Sequence, residues 1–99
     1  MSFRLVIWPE ADAEVAEAAS WYEGKRAGLG AEFLDAFDAA TDKLRRQPYL
    51  YAPILRDARR VLLQRFPYDV IYEIHGDEVV VLSCFNEWRD PQEWMRRVE

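Results

Sequence analysis

Residues 66–85 read FPYDVIYEIHGDEVVVLSCF. They predict two antiparallel strands, Tyr68–His75 and Glu78–Phe85, joined at Gly76-Asp77, because a tight Gly/Asp turn between apolar runs is typical of a hairpin. Within the second strand, Val79–Leu82 is an unbroken apolar run. A short run of this kind is typical of a central strand that is buried on both faces. The stretch therefore predicts the middle of a sheet.

The chain before this hairpin predicts two further strands and two helices. The strands are predicted at residues 3–8, which are rich in β-branched and aromatic side chains, and at Arg59–Phe66. Between them, apolar residues recur at helical spacing in two segments. The first helix is predicted to begin at Pro9, whose fixed φ suits the first helical position, and to end at Gly24. The second helix is predicted from about Gly30 to Gln47, directly before a proline.

A short final helix is predicted near the carboxyl end, with Asp90 as its N-cap and Pro91 as its first residue. The order β-α-α-β-β-β then predicts an α+β fold, in which a helical hairpin packs on one face of a mainly antiparallel sheet. The 99 residues have the length of one domain, residues 1–99. The side chains predicted to hold the helical hairpin on the sheet are Val15, Tyr22, Phe33, Phe37 and Leu44.

Composition excludes several classes of protein. Cys84 is the only cysteine, which rules out an intramolecular disulfide and is typical of a reducing compartment. The sequence has neither a signal peptide nor a run of about 18 apolar residues, so we expect a cytoplasmic protein without a membrane partner. Cys84 and the single His75 cannot supply a zinc site, and the four glycines match no nucleotide-binding fingerprint. We therefore expect no metal and no cofactor.

Some titratable groups have ordinary structural interpretations. Cys84 lies inside an apolar strand and is expected to be buried rather than reactive. His75 directly precedes the hairpin turn and is expected to be a surface residue rather than a general base. The regularly spaced carboxylates of the second helix are expected to form a solvated face. These carboxylates are Glu32, Asp35, Asp38 and Asp42.

Charge is unevenly distributed along the chain. The net charge of −5 arises entirely in residues 1–44, whereas residues 45–65 hold six arginines and one acid. Strand alternation predicts Arg59 and Arg65 on one face and Arg60 on the other. The arginines can hold a phosphodiester, bind the carboxylates of an acidic partner, or guard a solvated sheet edge. The sequence leaves these three interpretations open.

Several short motifs occur in a specific order and spacing along residues 4–97. From the amino end they are Ala11–Tyr22, Gly28-Leu29-Gly30, Phe33, Arg60, Phe66-Pro67-Tyr68, Val70-Ile71-Tyr72 and the closing Arg89-Asp90-Pro91 with Trp94 and Arg97. With these motifs the sequence resembles the RelE/ParE family, also known as the plasmid stabilisation family. Its members are toxins of type II toxin–antitoxin systems.

The resemblance implies a toxin that a cognate antitoxin neutralises by wrapping an extended or helical tail around it. RelE-like members cleave mRNA on the ribosome without a metal, using basic residues and often a carboxyl-terminal Tyr or His. ParE-like members instead inhibit DNA gyrase. Here Asn86 stands where many relatives have a His, no Tyr follows Arg89, and no Lys follows Lys43. These departures favour the ParE-like branch and a protein target.

The first functional hypothesis is thus growth inhibition by binding a protein such as DNA gyrase. The alternative is a ribosome-dependent, metal-independent mRNA endoribonuclease, in which Arg60, Arg65 and Arg89 stabilise charge on the phosphate. A third hypothesis is a relative that binds its antitoxin without being toxic. A groove between the Arg-rich strand and the carboxyl-terminal segment is expected to receive an acidic antitoxin tail. The residues predicted to bind antitoxin or target are Arg56, Arg59, Arg65, Trp88, Trp94 and Arg97.

General acid–base chemistry is not expected from the sequence. Such chemistry needs a side chain of suitable pKa within hydrogen-bond reach of the moving proton. The carboxyl-terminal region offers amide, indole and guanidinium groups, which do not titrate near neutral pH. Only His75 or a carboxylate brought close by the fold would change this expectation.

Overall fold

The computed structural model describes residues 2–98, so positions 1 and 99 of the predicted domain lie outside it. In this part of the chain one strand precedes two helices, four strands follow them, and a short helix comes last. The bounds are β1 Arg4–Ile7, α1 Pro9–Lys25, α2 Leu29–Arg46, β2 Pro53–Leu55, β3 Ala58–Leu62, β4 Tyr68–His75, β5 Glu78–Asn86 and α3 Gln92–Met95, with a 3₁₀ turn at Pro48–Leu50.

The strands of residues 2–98 form one mixed sheet in the order β1-β5-β4-β3-β2. β1 is parallel to β5, with Val6 opposite Val80, and the other neighbouring pairs are antiparallel. Two neighbouring parallel strands must be joined by a long crossover connection. Here the two helices form the first part of the connection from β1 to β5. The predicted α+β fold with a mainly antiparallel sheet is confirmed.

Helices α1 and α2 cover one face of the sheet. The Tyr22 and Phe33 rings stack with their centroids 5.5 Å apart, and both meet the Phe66 ring edge to face, at 4.8 and 5.2 Å. Burying side chains of this size stabilises the fold by about 1.5–3 kcal/mol each. The residues predicted to hold the helices on the sheet are buried or partly buried in this cluster, namely Val15, Tyr22, Phe33, Phe37 and Leu44.

The carboxyl-terminal segment covers part of the opposite face. Trp94 and Val98 form a second apolar cluster there with Ile71, Val80 and Leu82. The central strands β4 and β5 therefore have apolar contacts on both sides. The double burial predicted from the apolar run at residues 79–82 is confirmed.

The sheet differs from the prediction in the Arg-rich stretch. The short strand β2 was not predicted; it begins with a proline and pairs with β3. The strand predicted at Arg59–Phe66 is Ala58–Leu62, because the chain leaves the sheet at residues 63–67. Arg65 lies in this loop with a φ of 74°, which no extended strand adopts. The predicted placement of Arg59 and Arg65 on one strand face is therefore wrong.

The junction between the two helices also differs from the prediction. α1 continues through Gly24, and the left-handed residue is instead Gly28, with a φ of 90°, directly before α2. The Glu23 carboxylate accepts hydrogen bonds from the backbone nitrogens of Gly28 and Gly30 at 3.0–3.1 Å. These bonds lower the pKa of Glu23. The last turn of α1 thereby satisfies free backbone donors at the start of α2.

Several side chains take the places that the sequence predicts. Cys84 is buried, and burial raises the pKa of its thiol above the usual range, so the thiol is a poor nucleophile. His75 ends β4 and is exposed, with its Nε2 2.8 Å from the Glu73 carboxylate. Asp90 Oδ1 accepts a hydrogen bond from the Gln92 nitrogen at 3.0 Å, but α3 begins at Gln92, so its N-cap is Pro91 and not the predicted Asp90. Within residues 2–98, no helix has the length and apolar character needed to cross a membrane.

Candidate functional site

Two grooves meet at the end of β5. The first, which we call the tryptophan groove, lies between α1 and the turns that flank β4 and β5, and has a volume of about 400 Å³. Its lining combines aromatic and charged side chains, including Glu17, Trp21, Tyr22, Tyr68, Trp88 and Arg89. Such a mixture of apolar walls and a few charged groups is typical of a binding site.

Two tryptophans of this groove are open to solvent. Trp88 is 84% exposed and Trp21 is 56% exposed. The turn that carries Trp88 is fixed by Asn86, whose side-chain oxygen accepts from the Trp88 nitrogen at 2.8 Å and whose carbonyl accepts from the Arg89 nitrogen at 3.1 Å. Asn86 therefore shapes the turn that presents Trp88.

The second groove, which we call the carboxyl groove, lies on the sheet face that α3 covers. Its volume is about 590 Å³. Arg60 of β3, Asp69 of β4, Glu87 and Arg89 line it, and apolar side chains form its walls. Arg60 lies 3.7 Å from the Asp69 carboxylate. No group of three or more His, Cys, Asp or Glu side chains in the described chain is arranged to hold a metal ion.

Asp69 is the unusual group of the carboxyl groove. Its side chain is only 9% exposed, and its Oδ1 atom has no hydrogen-bond donor among residues 2–98. Burial, together with the hydrogen bond and the negative charge of Glu87, raises the pKa of Asp69 to about 7, although Arg60 opposes the shift. A carboxylate that titrates near neutral pH therefore lies in this region. The sequence signal was an acid within the apolar first half of β4, Tyr68-Asp69-Val70-Ile71.

The arginines predicted to stabilise a phosphate do not converge. Arg60 and Arg89 line the carboxyl groove, and Arg89 also pairs with Glu93 at 2.9 Å. Arg65 lies beside α2, where it pairs with Glu32 at 2.7 Å. The three guanidinium groups therefore do not face one common site.

The arginines predicted to bind a partner are also dispersed. Arg59 donates to the Tyr51 carbonyl oxygen and lies over the Tyr49 ring, 5.2 Å from its centroid. Arg56 lies on the exposed turn between β2 and β3, with a φ of 50°. Arg65 is held by Glu32, so the helix carboxylates are not all free in solvent. Within residues 2–98, Arg56, Arg59 and Arg65 therefore lie apart from one another and do not form one cluster.

Trp94 and Arg97, also predicted to bind a partner, face the interior. Trp94 is buried in the second apolar cluster. Arg97 donates to both oxygens of Glu14, at 2.9 and 3.2 Å, and to the Leu82 carbonyl oxygen at 2.9 Å. Of the two tryptophans predicted near the carboxyl end, only Trp88 presents a free face.

Glu14 has a role that sequence reasoning missed. β1 pairs with β5 only as far as Val81, which leaves the next β5 residues without a neighbouring strand on that side. Glu14 Oε1 accepts from Ser83 Oγ at 2.9 Å and from the Cys84 nitrogen at 3.1 Å. Together with Arg97, it satisfies this stretch of open edge. Residue type and local spacing do not indicate these partners, which lie 69 to 83 positions away along the chain.

The sequence of this chain matches the model of a known protein family. The model of a family described as "ParE toxin of type II toxin-antitoxin system, parDE" matches residues 5–87. The chain belongs to the ParE toxin family. It is thus the toxin component of a type II toxin–antitoxin system, and its partner is a cognate antitoxin. The resemblance stated from the sequence is confirmed.

A solved structure provides a second comparison. The toxin is similar in fold to a chain of a structure described as "Chromosomal ParDE TA system from P. aeruginosa", with a TM-score of 0.63. The two chains are 14% identical, and the match covers 86% of this toxin and 96% of that chain. No curated protein matches the toxin significantly in sequence.

Proposed function

We propose that this toxin acts in the cytoplasm by binding a protein target such as DNA gyrase, and that the tryptophan groove is the centre of the binding surface. The observation that carries the proposal is Trp88, which is 84% exposed beside the 56% exposed Trp21. Tryptophan and arginine are enriched among the few residues that dominate binding energy at protein interfaces. Arg89 lies in the same groove. The groove thus combines the side chains that protein partners use most.

The cognate antitoxin is expected to cover the same groove. A partner that buries Trp21 and Trp88 removes them from any other protein, which gives a simple route to neutralisation. Arg56, exposed on the β2–β3 turn, is a further candidate contact for an acidic tail of the antitoxin. By contrast, Arg65 would have to give up its ion pair with Glu32 first.

The electrostatics favour a protein over RNA as the target. Strong binding of a nucleic-acid backbone depends on free cations that neutralise phosphates. Arg65, Arg89 and Arg97 are each paired with an acid of this chain. The carboxyl groups of Asp69 and Glu87 would in addition repel a phosphodiester in the carboxyl groove.

mRNA cleavage is the second candidate, and one observation favours it. Asp69, with a pKa of about 7, lies beside Arg60 in a groove that Arg89 also lines. A carboxylate of this pKa can accept the proton of a ribose 2′-hydroxyl, while guanidinium groups stabilise the phosphate. The two candidates therefore differ in the groove that they require.

Induced expression of the toxin in growing cells separates the candidates. We expect growth arrest without codon-specific mRNA ends, and restored growth when the cognate antitoxin is co-expressed. The double variant Trp21→Ala/Trp88→Ala should lose toxicity, because truncating a binding hot spot weakens binding by about 2 kcal/mol or more, roughly 30-fold. Tyr49→Ala is the matched control, since Tyr49 is exposed but lies outside both grooves.

The outcomes are distinct. Codon-specific mRNA ends that disappear in Arg89→Ala, but persist in the double tryptophan variant, would establish cleavage instead. Growth arrest that persists in the double variant without such ends would place the target contact elsewhere on the surface.

A further inference from the structure

The floor of the carboxyl groove holds an acceptor that the described chain leaves unsatisfied. Asp69 is nine-tenths buried and lines the groove, and its Oδ1 atom has no donor among residues 2–98. Leaving a buried polar atom unpaired costs about 1–3 kcal/mol. Either a proton on Asp69 or a donor from outside the chain is needed to remove this cost.

The charges around Asp69 determine which kind of donor fits. Arg60 from β3 and Arg89 carry two positive charges, whereas Asp69, Glu87 and the Glu93 that pairs with Arg89 carry three negative charges when ionised. A proton on Asp69 makes this set neutral. Cys84 of β5 interacts electrostatically with Asp69 from the helix side of the sheet, but burial keeps its thiol protonated. A single cation in place of this proton would give the groove the same net charge.

The walls of the groove fit the stem of a long basic side chain. Ile54 and Leu62 border it with 39% and 56% of their surface exposed, and Phe85, Trp94 and Met95 complete the apolar lining. Lys and Arg side chains cover apolar surface with their methylene groups while the charged end reaches a polar partner. A guanidinium group also matches carboxylate oxygens in geometry.

We propose that the carboxyl groove is a docking site for a basic side chain, an arginine or lysine, of the toxin's protein partner, whose cation pairs with the buried Asp69 carboxylate beside Glu87. This inference rests on the proposed function, because it names the chemistry of the partner that a protein-binding toxin would engage. An anionic ligand such as RNA would meet two carboxyl groups and is disfavoured. Docking is coupled to proton release, so it strengthens as the pH rises. Below the pKa of Asp69, affinity should rise up to about tenfold per pH unit.

The test uses the purified full-length toxin and butylguanidinium as the probe, with neutral butylurea as the matched control compound. Binding is measured by calorimetry and by NMR shifts of the Trp94 indole at pH 6, 7 and 8. We expect butylguanidinium to bind more tightly at pH 8 than at pH 6, with proton release in buffers of different ionisation enthalpy. Butylurea should bind at least tenfold more weakly at pH 8.

Variants of the toxin assign the effect to the carboxyl pair. Asp69→Asn and Glu87→Gln should each weaken butylguanidinium binding at pH 8 by at least tenfold, and the second variant serves if the first does not fold. Glu10→Gln, on the exposed start of α1, should leave binding unchanged. Equal binding of the two compounds, or full affinity in a folded carboxyl variant, would overturn the proposal. Inorganic phosphate shifting the same signals when butylguanidinium does not would overturn it too. This test uses no partner protein. A negative result would therefore not bear on the proposal that the tryptophan groove binds the target.

Discussion

Asp69 lies in the protein interior because it belongs to the buried part of β4. Its neighbours Tyr68, Val70 and Ile71 are all buried, and its backbone pairs with Phe85 of the central strand. Removal from water penalises the charged carboxylate, and Glu87 adds a second negative group. The native state therefore binds a proton at Asp69 more tightly than the unfolded chain does.

The pH dependence of stability tests this state of Asp69. Its pKa rises from 3.8 to about 7 on folding, so between these values the native state holds more protons than the unfolded state. The free energy of unfolding therefore falls as the pH rises through this window. Asp69→Asn should remove this contribution, so that its stability relative to wild type increases from pH 5 to pH 8. Urea unfolding at each pH measures the difference. Asp35→Asn, on the exposed face of α2, is the control, and an Asp69→Asn curve parallel to wild type would contradict the interpretation.

Gly30 and Gly24 differ in the space available for a side chain. A Cβ on Gly30 would lie 2.6 Å from the Ala19 carbonyl oxygen, whereas a Cβ on Gly24 would meet nothing within 4 Å. We expect Gly30→Ala to destabilise the fold by about 1–3 kcal/mol, because the two helices would have to separate. Gly24→Ala should stabilise it by up to about 1 kcal/mol through helix propensity. Thermal unfolding of both variants checks this, and equal melting temperatures would show that the helices do not approach so closely.

At the scale of residues, the sequence predicted burial better than it predicted partners. The apolar spacing was sufficient for Phe33, Phe37 and Cys84, because burial follows from periodicity. Arg97 was expected to bind a partner, yet it pairs with Glu14, which is 83 positions away along the chain. Contacts over such distances depend on how the elements are assembled. Residue type and local spacing do not contain that information.

At the scale of elements, the short β1 explains the Glu14–Arg97 pair. β1 covers β5 only to Val81, and the pair satisfies the Leu82 carbonyl and the Cys84 nitrogen beyond it. Both side chains are largely buried, with 16% and 20% of their surface exposed. The contact also fastens the carboxyl-terminal segment to α1. The pair therefore makes hydrogen bonds to β5 that a longer β1 strand would otherwise make.

Substitution of Arg97 measures the value of this contact. Arg97→Met keeps most of the side-chain volume but leaves Glu14 without its cation, which should destabilise the fold by about 1–3 kcal/mol. The control is Arg46→Met, which removes the exposed ion pair with Asp42 and should cost less than about 1 kcal/mol. Urea unfolding of the two variants compares them. Equal losses of stability would mean that the edge of β5 does not depend on Arg97.

The elements themselves were largely predictable, and the exceptions have physical causes. The hairpin of β4 and β5 followed from local signals, namely two apolar runs and a Gly-Asp turn. β2 has three residues and begins with Pro53, so it carries too little strand pattern to be recognised. β3 ends early because Arg65 adopts a left-handed conformation that its residue type does not indicate.

At the scale of the whole molecule, the uneven charge of the chain is partly resolved internally. Arg65 and Arg97, from the half of the chain that is rich in arginine, pair with Glu32 and Glu14 of the acidic helices. The charge imbalance read from the sequence thus helps to join the helices to the rest of the fold. The two grooves that meet at Arg89 are open at the surface, and this is where we place the partner.

The most direct test of the central proposal is the supercoiling activity of purified DNA gyrase in the presence of the purified toxin. We expect wild-type toxin and Tyr49→Ala to inhibit supercoiling at similar concentrations. The folded double variant Trp21→Ala/Trp88→Ala should need at least about 30-fold more protein, the equivalent of roughly 2 kcal/mol of lost binding energy. Equal inhibition by the double variant and wild type would contradict the role of the tryptophan groove. No inhibition by wild-type toxin would contradict gyrase as the target.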